Sequence, residues 1–365
     1  MFLIIRRVLL FSFLFAFTFT YSQELTIEAL QLKAPQKLLC TPVKDQAMSS
    51  TCWSFASNSQ IESEILRNGK KTVDLSEMFI ARYSYIRKIY QHLKLKGTNF
   101  FTPGGQFHDV MWVVKNYGMM PETAYNGKVN GEINHNHENL DTVIKQYVEK
   151  LVSQGKTKPD SADLVYINDQ FDKYLGKIPA TFIYNNKTYT AKTFAEHELG
   201  FNPDDYVEIT SYTHHPFYKP FILEDKYNWT FDQYYNVPIG DFSRITDSAL
   251  KNNYTVGWDG DAEDQYFNYF GGLAYLPQTI NDFQKERQHA FEDQSTLLNH
   301  MMHIVASVKD KYGKKWYYIK NSWGSYTNGL GGYLFMRDDY FKIRTLAIIV
   351  NKKAIPAAIR QKLGI

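Results

Sequence analysis

Thr41-Pro42-Val43-Lys44-Asp45-Gln46-Ala47-Met48-Ser49-Ser50-Thr51-Cys52-Trp53-Ser54-Phe55 carries more chemical information than any other part of this 365-residue chain. Ser49, Ser50 and Thr51 are N-cap residue types, and Cys52 follows them as a first-turn residue. Trp53 to Arg67 contains no Gly or Pro, and Asn68-Gly69 is a helix stop signal. The spacing therefore predicts a helix that begins at Cys52. A cysteine there sits at the positive end of the helix dipole, which favours thiolate over thiol. Six residues upstream, the side-chain amide of Gln46 is a donor that, together with the Cys52 backbone N–H, would make a two-donor oxyanion hole.

A nucleophilic cysteine needs a base, and the base needs an orienting group. The C-terminal third offers both. His300-Met301-Met302-His303-Ile304-Val305-Ala306-Ser307-Val308 reads as a strand, followed by a turn around Gly313. Lys315–Lys320 reads as a second strand, running directly into Asn321-Ser322-Trp323-Gly324, and Gly332–Met336 as a third. His300 and His303 are three residues apart, so on a strand they face opposite sides and only one can reach the cleft. Periodicity alone leaves both open.

Gln46, Cys52-Trp53, a histidine strand and Asn321-Ser322-Trp323-Gly324, in that order, resemble the papain-like cysteine peptidases. The family's local signature is Cys-Gly-[Ser/Ala]-Cys-[Trp/Tyr]. The matching positions here read Ser49-Ser50-Thr51-Cys52-Trp53, so the first cysteine and the disulfide it makes in many relatives are absent. That departure resembles the bleomycin hydrolase/aminopeptidase C branch. The resemblance implies an α+β fold of two lobes, helical and antiparallel β. It implies that Asn321 orients the histidine and that Trp323 shields their contact from water. It selects His300 over His303, because the family pattern places a small residue six positions on: Ala306 fits, whereas His303 would put Lys309 there. It also implies that Gly104 and Gly105, in Thr102-Pro103-Gly104-Gly105-Gln106, line the substrate cleft, where a peptide pairs with their backbone as in strand addition.

Cys52 and His300 are 248 residues apart, against about 130–150 in compact papain-like enzymes, so roughly 100 residues are inserted between the catalytic halves. The polar segment 130–200 is the expected location, with helix-like runs at Leu140–Gln154 and Ser161–Leu175. The expected organisation is then a helical lobe over 40–125, the insertion over 130–200 and a β lobe over 205–350. A short tail, 351–365, takes the place of the branch's long C-terminal arm. Asp205–Thr213 and Lys251–Trp258 are expected strands, with a helix at Pro238–Leu250 between them. Tyr254–Asp261 ends in two acids and two glycines, which reads as a turn bordering the cleft; the spacing fails for a calcium loop.

Composition narrows the classes. Apolar residues make up 44% and charged residues 22%, near globular averages, which disfavours disorder, fibrous repeats and a multi-span membrane protein. The formal charge of +3 is too small for a phosphate-tracking surface, so nucleic acid is not an expected partner. Arg6-Arg7, the apolar run Val8–Phe19 and Thr20-Tyr21-Ser22 form the layout of a secretory signal peptide over 1–22, with a mature chain of 23–365. As a helix the apolar run would rise about 18 Å, short of a bilayer core of about 30 Å, so no stable membrane insertion is expected after cleavage. The implied location is periplasmic or extracellular. Such compartments permit disulfides, which makes a Cys40–Cys52 bridge the ordinary alternative to a reactive Cys52. The histidines, including the His214-His215 pair, show no spaced ligand set, so no metal or other cofactor is expected. The leading function is an exported thiol-dependent peptidase with Cys52, His300, Asn321 and Gln46 as its catalytic groups, acting on peptide or protein substrates as an aminopeptidase. An endopeptidase or acyl transferase of the same fold, and a non-catalytic exported protein whose aromatics (16% of residues) bind peptide or glycan, are the alternatives.

Overall fold

A computed structural model describes residues 25–365. The segment read as a signal peptide, 1–22, lies outside the described residues. Helices Cys52–Arg67, Glu77–Lys94 and Phe107–Tyr117 build one lobe. Ser76 caps the second of these, its hydroxyl accepting from the Phe79 N–H at 3.1 Å. Within 130–200, helix Glu138–Ser153 buries Leu140, Ile144, Val148 and Leu151, a spacing that lines one helical face. Its partner, Ser161–Leu175, starts at Asp160, which accepts from the Ala162 and Asp163 N–H groups, and stops at Gly176, whose φ of 78° suits glycine. The buried faces of both join Ile80, Tyr85 and Ile89 in one apolar core, and Tyr85 donates to Asp141 across the contact. Segment 130–200 thus packs as part of the helical lobe.

The second lobe is a ten-stranded sheet. From edge to edge its strands are Pro220–Ile222, Gln233–Asn236, Tyr206–Thr210, Thr345–Asn351, Val256–Gly260, His300–Lys309, Lys315–Lys320, Tyr333–Arg337, Leu273–Ala274 and Phe267–Asn268. Pairing is antiparallel throughout its centre. Alternation along the strands places the interface between the lobes. Ile348 and Val350 belong to the β-lobe core with Trp258 and Tyr317, whereas Ile349 between them packs into the helical-lobe core. Met302 and Met301 divide in the same way. One face of the sheet therefore packs against the helical lobe, which explains why all seven residues of Thr345–Asn351 are buried.

Two expectations need correction. Lys251 ends helix Ile239–Lys251, Asn253 takes a left-handed φ of 61°, and the strand begins only at Val256. Asp259 and Gly260 are not in a turn. They lie within that strand, fully buried, with Asp259 opposite Met301 and Gly260 opposite His300. The C-terminal helix Ala357–Leu363 inserts Ile359 and Leu363, together with Ile355, into the β-lobe core. Among the described residues no helix is long and apolar enough to cross a membrane.

Candidate active site

Cys52 is the first residue of its helix, with Thr51 at the N-cap. Thr51 gives no side-chain cap; its hydroxyl bonds the Ser49 hydroxyl at 2.6 Å instead. The first helical amides are thus left for the sulfur, where the N–H groups of Cys52, Trp53 and Met301 all favour the thiolate. Ser50 stands where the family signature has glycine and carries a left-handed φ of 55°, a conformation costing an L-residue roughly 1–2 kcal/mol. Cys40 and Cys52 are both free thiols, so the bridge considered above is not formed.

His300, at the start of its strand, holds Asn321 Oδ1 2.7 Å from its Nε2. The same oxygen accepts from the Ser322 backbone N–H, also at 2.7 Å, so it is the acceptor and Nε2 carries the proton. Nδ1 is then the unprotonated ring nitrogen. The Trp323 indole stacks on the imidazole with ring centroids 4.5 Å apart, and Tyr269 packs edge-on against that indole. His303 faces the other way. Its Nδ1 lies 2.8 Å from the Ser59 hydroxyl, which also accepts from Lys320 Nζ, and it does not line the cleft.

Gln46 is held by Ser322. The Gln46 N–H donates to Ser322 O at 2.8 Å, and the Ser322 hydroxyl donates to Gln46 Oε1 at 2.7 Å. With Oε1 so engaged, the amide nitrogen is the end available to the cleft. Gln46, Ser50, Cys52, Gly104, Gly105, His300 and Trp323 line a common cleft of about 330 Å³. Asn321 stands behind His300, outside that lining. A Cβ on Gly105 would come within 2.9 Å of the Trp53 indole, and one on Gly104 would collide with the Tyr227 ring. Lys88 donates to the carbonyls of Thr102 and Gly104, and the Trp53 indole N–H donates to that of Pro103, so this wall is anchored from behind.

Burial dominates the electrostatics. It pushes the Cys52 thiol up to about 11 against the pull of the three amides, with Asp259 adding to the rise, and it pushes the His300 imidazole down to about 4. The dipole effect read from the sequence is present but outweighed. Between those limits the sulfur keeps its proton and the imidazole is neutral, with Nδ1 unprotonated. Asp259 itself is held well above the usual carboxylate range by burial, and neither of its oxygens has a hydrogen-bond partner.

Ser322, Tyr227 and Asp259 were not singled out from the sequence. Ser322 lies inside the Asn321-Ser322-Trp323-Gly324 motif, which is the signal that could have found it. Among the described residues, one group of side chains is placed to hold a metal, His214, His215 and Glu224, and none of the three lines the cleft.

A thiol at a helix start beside an imidazole oriented by a carboxamide, set between a helical and a β lobe, is the arrangement of a papain-like cysteine peptidase. The chain belongs to the Peptidase C1-like family, whose profile matches residues 20–364, and is related to its bleomycin hydrolase/aminopeptidase C branch. It is 22% identical to aminopeptidase C of Lactobacillus delbrueckii subsp. lactis over 87% of this chain and 81% of that one. It is likewise 22% identical to bleomycin hydrolase of Gallus gallus, over 91% and 84%. Among solved structures, PepW of Lactobacillus rhamnosis HN001 superimposes with a TM-score of 0.71 at 18% identity, covering 92% of this chain and 86% of that one.

Proposed function

We propose that this cysteine peptidase removes residues one at a time from the free N-terminal ends of peptides. Cys52 Sγ attacks the scissile carbonyl carbon while His300 Nδ1 takes the thiol proton. The carbonyl oxygen, now negative, is held by the Gln46 side-chain amide and the Cys52 N–H. Collapse breaks the C–N bond, and His300 returns the proton to the leaving amine. Water then attacks the thioester with His300 as base, and the acid leaves as the thiol reforms. Asn321 keeps the imidazole in the tautomer that these steps require.

The observation that carries the exopeptidase reading is Tyr227. Its ring packs against Gly104, on the wall where a longer substrate would lay its backbone. The inserted segment 130–200 contributes no residue to the cleft lining, and the C-terminal tail is folded onto the β lobe. Tyr227 is therefore the group that shortens the cleft, and the block on internal bonds is assigned to segment 223–232. The test compares a free peptide with its N-acetylated form, in the wild type and in Tyr227→Ala. The wild type is expected to trim the free peptide stepwise and to spare the acetylated one, and Tyr227→Ala is expected to cut the acetylated peptide internally. Efficient internal cutting of the acetylated peptide by the wild type would overturn the reading in favour of an endopeptidase. We further propose that the chain is exported, on the strength of Arg6-Arg7 and the Val8–Phe19 run. Sequencing of the mature N-terminus should then begin at Gln23, and recovery of the full-length chain inside the cell would count against it.

A further inference from the structure

The His214-His215 pair is brought to a place the sequence did not suggest. Both histidines lie in the segment that follows strand Tyr206–Thr210, and Glu224 follows strand Pro220–Ile222. Between them the chain reverses. His214 Nε2 comes to 3.1 Å from Glu224 Oε2, and His215 Nε2 to 2.6 Å from Glu224 Oε1. The ligating atoms of the three residues all lie within 4.8 Å of one another.

Three features give this cluster the character of a built site. The rings are held: His215 stacks on Phe221 with centroids 4.2 Å apart, and His214 on Phe291 at 5.5 Å. The backbone is held: the buried Asn236 amide donates to the carbonyls of Tyr212 and His215, and its oxygen accepts from the Tyr212 N–H. The outer nitrogen of His214 has a partner as well. Gln288, on helix Phe283–Glu292, has its amide nitrogen 2.9 Å from Nδ1. Its oxygen, which accepts from the Thr213 N–H, is 3.4 Å from the same nitrogen. With that oxygen engaged by Thr213, the amide nitrogen is the donor to Nδ1 in the metal-free protein. A cation at Nε2 would shift the ring proton to Nδ1, and the same oxygen, 3.4 Å away, would then have to accept it. The three side chains retain 27%, 31% and 55% exposure, which leaves an open side for entry and for a water ligand.

We propose that His214, His215 and Glu224 bind a borderline divalent cation of the Zn2+ type, which restrains the segment carrying Tyr227. Two imidazoles and one carboxylate with an open position suit Zn2+, whereas Ca2+ and Mg2+ require oxygen ligands. Glu224 is three residues before Tyr227. The intervening turn is internally bonded, with the Tyr227 N–H on Asp225 and the Asn228 amide donating to Leu223 O and Asp232 O. Fixing Glu224 to the sheet edge therefore fixes the base of the segment whose ring packs on Gly104. Nothing in the peptidase chemistry passes through this ion.

The test uses the untagged full chain carrying Cys52→Ala, so that the active-site thiol does not compete for metal. Dialysis against Zn2+ should load about one equivalent per chain, and Co2+ should give the visible absorption of a low-coordinate nitrogen/oxygen site. Glu224→Gln and His215→Ala should each weaken binding by at least about 10–100-fold, with near-ultraviolet circular dichroism checking that the variants fold. Hydrogen exchange over 223–232 should slow when Zn2+ is bound. Failure of the Cys52→Ala chain to take up Zn2+, or uptake that both ligand variants retain, would overturn the site. Uptake with unchanged exchange over 223–232 would overturn the restraint on Tyr227.

Discussion

Removing the Ser322 hydroxyl should slow the chemistry without touching the substrate. Ser322→Ala deletes one donor, the Oγ–H that reaches Gln46 Oε1 at 2.7 Å. It keeps the Ser322 backbone bonds to Asn321 Oδ1 and the Gln46 N–H. Gln46 is 8% exposed and Ser322 6%, so the stranded acceptor meets little water and the amide loses the bond that orients it. A buried acceptor left without its donor costs about 1–2 kcal/mol, and if that cost falls on the transition state, kcat drops about 5–30-fold. Gln46→Ala, which removes the proposed oxyanion donor itself, should cost about 10²–10³. Because Ser322 acts through Gln46, adding Ser322→Ala to Gln46→Ala should cost less than about threefold more. The assay is steady-state hydrolysis of a fluorogenic amino-acid amide, with kcat and KM resolved for the four members of the cycle, and Ser322→Thr as the variant that restores a hydroxyl. Losses that multiply in the double variant, or a Ser322→Ala effect confined to KM, would refute the argument.

The two histidines should separate by function. His300→Ala should lower kcat by about 10²–10⁴, while His303→Ala, which loses only the buried bond to Ser59, should cost less than about tenfold and show up instead as a lower melting temperature; equal losses in kcat would discard the assignment. Asp259 gives a stability prediction with a definite sign. Burial holds its folded-state pKa well above the ordinary value, so the folded chain keeps a proton that the unfolded chain releases, and the wild type loses stability as pH rises above about 4. Asp259→Asn has no such proton, and its stability relative to wild type should climb by about 1.4 kcal/mol per pH unit until the folded-state pKa is reached; a difference that stays flat in thermal melts between about pH 4.5 and pH 6.5 would contradict it.

The sequence was most readable where covalent neighbours carry the chemistry. Cys52-Trp53 and Asn321-Ser322-Trp323-Gly324 are local strings, and the strands flanking the asparagine have clear apolar patterns. Helix Ser161–Leu175 was also readable, because Asp160 and Gly176 directly flank its two ends in sequence. What stayed hidden depends on tertiary placement. Asp259 and Gly260 have turn propensity, yet they sit between two strands in the middle of a sheet, where pairing and burial override local preference. Tyr227 has no periodic signal, since its role comes from a turn folding across to a glycine far away in sequence. His214, His215 and Glu224 converge because a strand runs between them, and no fixed ligand spacing records that. The Thr51 cap failed for a related reason: the hydroxyl found Ser49, and the amides it would have capped favour the thiolate of Cys52.

The central claim is that Cys52 and His300 act as one nucleophile–base pair, and the rate of thiol alkylation measures it most directly. The mature protein is treated with iodoacetamide at about pH 5.5, and adducts at Cys52 and Cys40 are mapped over time. An isolated thiol is almost entirely protonated there. The pair, by contrast, keeps its imidazole free of a second proton down to about 4, so His300 can accept the thiol proton as sulfur attacks. The account predicts rapid, selective labelling of Cys52, abolished by His300→Ala and preserved in His303→Ala. Slow labelling of both cysteines at equal rates, or Cys52 labelling that survives His300→Ala unchanged, would contradict it.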